Sequence, residues 1–184
     1  MRRLVLVFYW LIGRRRFWQY YTNITPDTCP DCLALHGKIS PDPADFPARD
    51  DGCPRELLPF PVWELPEYRE RERRMRARAR AELERRELFA RAVAALEDSP
   101  DEALELFDRA GEVELYLSEV ERLAREKGDF LASNPGIRRR LGEIFLRHWR
   151  GKFVKPRYGV WPERMRLERE KWGKKRIEEL FLRD

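Results

Sequence analysis

Residues 99–111 read SPDEALELFDRAG, a stretch that contains both a start signal and a stop signal for an α-helix. Ser99 is a preferred N-cap residue, Pro100 suits the first turn, and Glu102 occupies the capping-box position. Apolar residues then recur at helical spacing (Leu104, Phe107, Ala110), and Gly111 is the expected end of the helix. The stretch therefore predicts an amphipathic helix that packs on a core.

Similar patterns follow downstream. A second helix is predicted from its apolar spacing (Val113, Tyr116, Leu117, Val120), with Gly128 as its end. Asn134-Pro135 predicts the start of another helix, whose stripe contains Ile137, Leu141, Ile144 and Phe145 and which ends near Gly151. A last charged helix is predicted from Pro162 to about Leu182.

Upstream, residues 67–97 predict one long charged helix. Its first half, Tyr68 to Arg80, is nearly all Arg, Glu and Ala. This half is therefore expected to be exposed and available to bind a partner protein. Only the second half, with Leu88, Ala92, Val93 and Leu96 on one face, is expected to dock on a core.

The N-terminal third has a different composition. The apolar run 4–12 is too short to span a bilayer and predicts a buried strand, with a membrane-surface anchor as the alternative. Residues 17–21 favour extended structure, and the prolines between Pro26 and Pro66 predict loops and at most short hairpins. The predicted fold is mainly α: a small zinc-knuckle-like module with short strands (1–63), a long connecting helix (64–98) and a helical domain (99–184).

Charge is dense and unevenly distributed. The formal net charge is +5, but residues 99–134 carry −6 and residues 135–184 carry +9. The basic C-terminal part is therefore expected to meet phosphate or an acidic partner, unless its charges simply face solvent. Dense charge of both signs, with one Gln and two Asn, indicates a thermophilic host, although the excess of Arg over Lys also suits a GC-rich genome.

All three cysteines lie within one short window, which favours metal binding in a reducing compartment over a disulfide framework. Cys29 and Cys32 form a CxxC turn that can supply two thiolates to zinc, and Cys53 would be a third ligand. His36, Asp50 or Asp51 could be the fourth. Gly37 is expected to adopt a positive φ where the chain doubles back. A redox role is disfavoured, because no helix N-terminus or βαβ pattern surrounds the pair.

The string from Asp27 to Lys38, DTCPDCLALHGK, resembles the signature of the Mu F-like head-morphogenesis proteins of tailed phages. The resemblance covers about residues 16–62. The family's second half has His where this chain has Asp50 and Cys where it has Arg55, which increases the weight of His36 as a ligand. The resemblance implies a structural protein of the phage head that contacts the portal or other capsid proteins. Its location would be the virion, and the host cytoplasm during assembly.

The remaining motifs predict one nucleic-acid-binding surface and give no indication of a catalytic site. Basic residues of the C-terminal part predict sequence-independent contacts with packaged DNA (Arg138, Arg139, Arg140, Arg147, Arg150, Lys152, Lys155, Arg157). The aromatic residues among them would stack on bases or fill a core (Trp149, Phe153, Tyr158, Trp161). His148 is expected to be a packed side chain. No phosphate loop or hydrolytic triad is present in the sequence, so no catalytic residue is predicted.

The leading hypothesis is thus a non-enzymatic, zinc-stabilised minor capsid or head-morphogenesis protein. The alternative is a cellular zinc-binding protein associated with nucleic acid or ribonucleoprotein. A metal-dependent nuclease or a redox enzyme ranks third.

Overall fold

The computed structural model describes residues 16–47, 55–150 and 163–183, with the side chains of the last range described from residue 167 onward. The chain divides into two compact units, Met1–Leu83 and Glu84–Asp184. The described residues are mainly helical, with a small antiparallel sheet near the N-terminus, as predicted. No helix in the described ranges has the length and apolar character needed to cross a membrane. The predicted strand at residues 4–12 lies outside these ranges.

The first unit contains a three-stranded sheet with the order β2-β1-β3. Its strands are β1 (Arg16–Thr22), β2 (Ile39–Ser40) and β3 (Arg55–Pro61), and both outer strands run antiparallel to β1. Helix α1 (Pro30–Leu35) and a 3-10 turn (Pro43–Asp45) lie between β1 and β3. The extended structure predicted for residues 17–21 is confirmed.

The expectation of loops and at most short hairpins in the proline-rich segment is wrong at β3, which pairs with β1 over seven residues despite containing Pro59 and Pro61. Pro59 is opposite Trp18, and Pro61 is opposite Arg16. Proline cannot donate to a ladder, but β3 is an edge of the described sheet, where one row of N–H groups needs no partner within that sheet. The prolines therefore indicate an edge strand rather than a loop.

A second 3-10 turn (Val62–Glu64) leads into the long helix α2 (Leu65–Ala95). The first half of α2 is not exposed on all sides, contrary to prediction. Tyr68 stacks on Phe60 of β3 with ring centroids 3.7 Å apart, and Ala79 is only 2% exposed. Glu72, on the same stripe, is also buried. The sequence did not predict this buried stripe, because Glu72 is charged and Ala79 is only weakly hydrophobic.

The described residues of the second unit form the end of α2 and five more helices. They are α3 (Pro100–Val113), α4 (Leu117–Glu126), α5 (Gly128–Ser133), α6 (Pro135–His148) and α7 (Glu163–Phe181). The helix starts predicted at Ser99 and at Asn134-Pro135 are confirmed, as is the last helix. Ser99 occupies the N-cap position, although its side chain makes no capping hydrogen bond.

One predicted helix end is wrong, because helix α3 continues through Gly111 to Val113. The end predicted at Gly128 is confirmed: α4 ends at Glu126 with Lys127 as its C-cap, and Gly128 then begins α5. Gly111 is buried, and a Cβ atom at this position would lie 2.7 Å from Cδ2 of His148. The glycine therefore permits close helix packing rather than a left-handed helix end.

Among the described residues, the core of the second unit contains a chain of aromatic contacts. Phe89 meets Phe107, Phe107 meets Phe145, and Phe145 meets Phe181, each edge to face with centroids 5.1–5.6 Å apart. These four rings come from α2, α3, α6 and α7. Trp149 is 1% exposed and donates from Nε1 to the Glu170 carbonyl at 3.0 Å. The core interpretation of Trp149 is therefore the correct one.

Candidate functional site: the cysteine turn and the arginines of α6

Cys29 and Cys32 come together at the first turn of α1. Cys29 is the N-cap residue, and its Sγ accepts a hydrogen bond from the backbone N–H of Cys32 at 3.3 Å. The expectation that no helix N-terminus accompanies the CxxC pair is therefore wrong. Pro30 explains why the helix starts here, because its fixed φ suits the first helical position and its missing N–H would have had no partner.

The hydroxyl of Tyr20 contacts the second thiol. It donates to Cys32 Sγ at 3.2 Å, from the central strand of the sheet. Burial raises the pKa of Tyr20 above its ordinary value, so the phenol stays protonated and remains a donor. Cys32 is 7% exposed, whereas Cys29 is only half-buried. The two thiols therefore differ in access to solvent and in hydrogen bonding.

Gly37 fixes the path of the chain after α1. Its φ is +88°, which confirms the predicted positive value. Its N–H donates to the Tyr20 carbonyl at 2.8 Å, and Tyr20 N–H donates to the Lys38 carbonyl at 2.9 Å. The turn thereby brings the chain back to β1 at the residue whose hydroxyl meets Cys32.

His36 occupies the end of α1 and is only 5% exposed. Its Nδ1 accepts a hydrogen bond from Thr22 N–H at 3.3 Å. Burial, followed by the positive charges of Arg78 and Arg71, lowers the pKa of His36 to about 4. The ring is therefore neutral at physiological pH. Because Nδ1 is the acceptor, the single proton belongs on Nε2, and neither nitrogen has a lone pair available for a metal.

The two thiols fit a metal site better than His36 does. In the described ranges, no group of three or more His, Cys, Asp or Glu side chains is arranged to hold a metal ion. Cys29 and Cys32 are brought together as predicted, and His36 does not complete a cluster with them. Cys53, Asp50 and Asp51 lie outside the described residues.

The arginines of α6 form ion pairs with carboxylates instead of a purely basic surface. Arg140 pairs with Asp101 at 2.6 Å, and Arg147 pairs with Asp108 at 2.9 Å. Arg139 pairs with Glu143 on its own helix at 3.2 Å. All three side chains nevertheless remain more than half exposed.

The other residues of the predicted nucleic-acid surface make backbone contacts or lie elsewhere. Arg138 donates to the Arg183 carbonyl at 2.7 Å, and Arg150 donates to the Arg147 carbonyl at 2.9 Å. Lys152, Lys155 and Arg157, together with Phe153, Tyr158 and Trp161, lie outside the described residues. His148 packs as expected, and its Nε2 lies 2.7 Å from a carboxylate oxygen of Asp108.

Sequence reasoning missed three partners of the site: Tyr20, Thr22 and the acidic residues of α3. The sequence of β1, RFWQYYT, has no alternation that marks Tyr20 as inward-facing, and the adjacent Gln19 and Tyr20 are both buried. Nothing local could have paired Asp101 with Arg140, because these residues are 39 positions apart. The net charges of the segments did indicate that such ion pairs could form, since an acidic segment precedes a basic one.

The chain matches no protein-family model, no curated protein and no solved structure.

Proposed function

We propose that this chain is a non-enzymatic structural protein of a tailed-phage or prophage particle, of the minor capsid or head-morphogenesis type. The observation that carries the proposal is the DTCPDCLALHGK string at residues 27–38. Its fixed residue types have structural roles in this chain: the two cysteines meet at one turn, and the glycine takes a positive φ. A motif whose cysteines and glycine have structural roles in the turn supports a shared module better than sequence similarity alone.

The test is the location of the chain in induced cells. Prophage particles are purified on a density gradient after nuclease treatment, and their proteins are identified by mass spectrometry. We expect the chain to migrate with DNA-filled heads in a constant ratio to the portal protein. Recovery only in the soluble fraction, while capsid proteins sediment, would contradict the proposal. A cytosolic protein of similar abundance is the control for carry-over.

Zinc is proposed as the stabilising ion, held by Cys29, Cys32 and Cys53. Thiolates at CxxC spacing occupy adjacent corners of a tetrahedral site. The hydrogen bond from Thr22 to His36 favours Asp50 or Asp51 over His36 as the fourth ligand. When bound, zinc would cross-link the turn before α1 to the segment before β3.

Metal analysis of the purified protein tests this ligand set. We expect about one zinc per chain in the wild type, loss of the metal in Cys53→Ser, and retention in His36→Gln. A metal-free wild type would overturn the zinc proposal. Loss of zinc in His36→Gln, in protein that remains folded, would instead restore His36 as a ligand.

The alternative function, binding to nucleic acid in the cell, is favoured by the exposure of Arg139, Arg140 and Arg147. A polyanion would have to compete with the carboxylates that these arginines already contact. Binding should then fall steeply with salt and be independent of sequence. Replacing Arg139 and Arg140 by Ala should reduce the salt slope by about 1 per lost phosphate contact, whereas Arg122→Ala on α4 should not. Equal slopes for all variants would exclude this surface.

A further inference from the structure

We infer that Cys29 and Cys32 form a reversible disulfide, in which Cys29 is the thiol that attacks an external disulfide and Cys32 is the thiol that resolves the intermediate. The co-substrate is a low-molecular-weight disulfide of the glutathione type. This inference depends on the cysteine turn alone and holds whether or not the chain belongs to a virion. It concerns the zinc-free form, because a thiolate has to leave the metal before it can form a disulfide.

Proximity is the first support. Cys29 Sγ lies 3.3 Å from the backbone nitrogen of Cys32, so the sulfur of one residue already reaches the main chain of the other. Cys29 is the N-cap residue and Cys32 lies in the first helical turn, so both side chains start from the same turn of the chain. Formation of the bond requires the two side chains to rotate until their sulfurs are about 2 Å apart.

Unequal exposure is the second support, because it assigns the two roles. Cys29 is half-buried and caps the helix from outside it, so it is the more accessible of the two residues. Cys32 is 7% exposed and lies under the hydroxyl of Tyr20. The N–H of Cys32 donates to Cys29 Sγ, so this sulfur is held at the N-terminal end of α1.

The reaction balances in two steps. The Cys29 thiolate attacks one sulfur of the small disulfide, that S–S bond breaks, and one thiolate leaves with the electron pair. Cys32 then loses its proton to solvent, and its thiolate attacks the Cys29 sulfur and expels the second small thiolate. The protein is oxidised by two electrons, and the small disulfide is reduced to two thiols.

Tyr20 acts as a positioning residue that sets the equilibrium. Its hydrogen bond stabilises the reduced sulfur of Cys32, because a thiolate or thiol sulfur accepts more strongly than a disulfide sulfur. Removing the hydroxyl should therefore shift the pair toward the disulfide. Tyr21→Phe is the matched control, since the ring of Tyr21 contacts His36 rather than the thiols.

The test uses the full chain carrying Cys53→Ser, freed of metal by a chelator and incubated with oxidised glutathione. Peptide mapping after acid quenching should show a product that has lost two hydrogens, with Cys29 joined to Cys32. Adding Cys32→Ser should trap a glutathione mixed disulfide on Cys29. Adding Cys29→Ser instead should slow glutathionylation at least about tenfold, because the remaining thiol is buried. Circular dichroism checks that each variant is folded.

Three results would overturn the inference: both thiols remaining reduced in folded Cys53→Ser protein, preferential pairing of Cys53 with either cysteine in the wild type, or equal reactivity of the two single thiols. In glutathione redox buffers, Tyr20→Phe should raise the ratio of oxidised to reduced protein about tenfold, whereas Tyr21→Phe should not. The same ratio in both variants would remove Tyr20 from the mechanism. A negative outcome here leaves the co-sedimentation test of the virion role unaffected.

Discussion

The guanidinium of Arg85 holds both carboxylate oxygens of Glu119, with Nη1–Oε2 and Nη2–Oε1 distances of 2.7 and 3.1 Å. The Arg85 side chain is completely buried and also lies over the ring of Tyr116, 4.8 Å from its centroid. Removing one partner of such a pair leaves a buried charge without its counter-ion. We therefore expect Arg85→Met or Glu119→Leu alone to lower the free energy of unfolding by about 3–5 kcal/mol.

The double variant and an exposed pair provide the controls. Arg85→Met combined with Glu119→Leu should recover most of the loss, because both charges are then removed from the interior. Arg139→Ala, which breaks the exposed pair with Glu143, should cost less than about 1 kcal/mol. Urea denaturation of the four variants measures these values. Additive effects of Arg85→Met and Glu119→Leu would contradict the prediction.

Gly173 permits close packing against Trp149. A Cβ atom added there would clash with the indole ring of Trp149, at 2.7 Å from Nε1, and this ring is itself buried. We expect Gly173→Ala to destabilise the protein by about 1–3 kcal/mol, although alanine favours helices. Gly136→Ala is the matched control, since its Cβ would meet nothing within 4 Å. That variant should be neutral or more stable by up to about 1 kcal/mol in thermal melts.

Gly37 combines a left-handed backbone with a close contact in the first unit. At φ +88°, an added Cβ would lie 2.8 Å from Cβ of Met75. Gly37→Ala should therefore cost about 1–3 kcal/mol and should weaken hydrogen-exchange protection in β1. Gly128→Ala, whose Cβ would meet no atom within 4 Å, should leave β1 unchanged. Equal protection of β1 in both variants would disprove the constraint at Gly37.

The lowered pKa of His36 makes stability depend on pH. Its folded value of about 4 lies below the ordinary value of 6.5, so between these values the unfolded chain binds a proton that the folded chain does not. The stabilising contribution is complete above about pH 6.5 and is lost as the pH falls toward 4. Going from about pH 7 to pH 5 should cost on the order of 2 kcal/mol.

His36→Gln is the variant that isolates this contribution. Its unfolding free energy should change less than that of the wild type over the same pH interval, because the titrating group is gone. The comparison stops at about pH 5 so that carboxylates contribute little. Parallel curves for the two proteins would show that His36 is not the group responsible.

The helices could be predicted from the sequence because their signals are local. The apolar stripe of α3 and the Asn134-Pro135 start of α6 each lie within a few residues of the structure that they specify. Strand β3 was not predicted, since its prolines indicate a loop unless the strand is known to be at an edge. Patterns within a few residues thus predict the helices, whereas a strand such as β3 can be predicted only when its position in the sheet is known.

The candidate site was predictable to the same extent. The spacing of Cys29 and Cys32 predicted their approach, and the sequence placed a positive φ at Gly37. The donor to Cys32 comes from Tyr20 on another strand, and Thr22 from that strand occupies Nδ1 of His36. Such contacts depend on the register of the sheet, which cannot be predicted from the sequence of one strand alone. The buried Arg85 has the same origin, because its carboxylate partner is 34 residues away.

The edge-to-face contacts from Phe89 to Phe181 also determine when the core of the second unit can form during translation. The ring of Phe145 has Phe107 on one side and Phe181 on the other, and Phe181 is the C-terminal residue of α7. A nascent chain that has emerged only as far as α6 therefore lacks the ring that closes this core. The second unit completes its packing only after translation has passed residue 181 and the ribosome has released that segment.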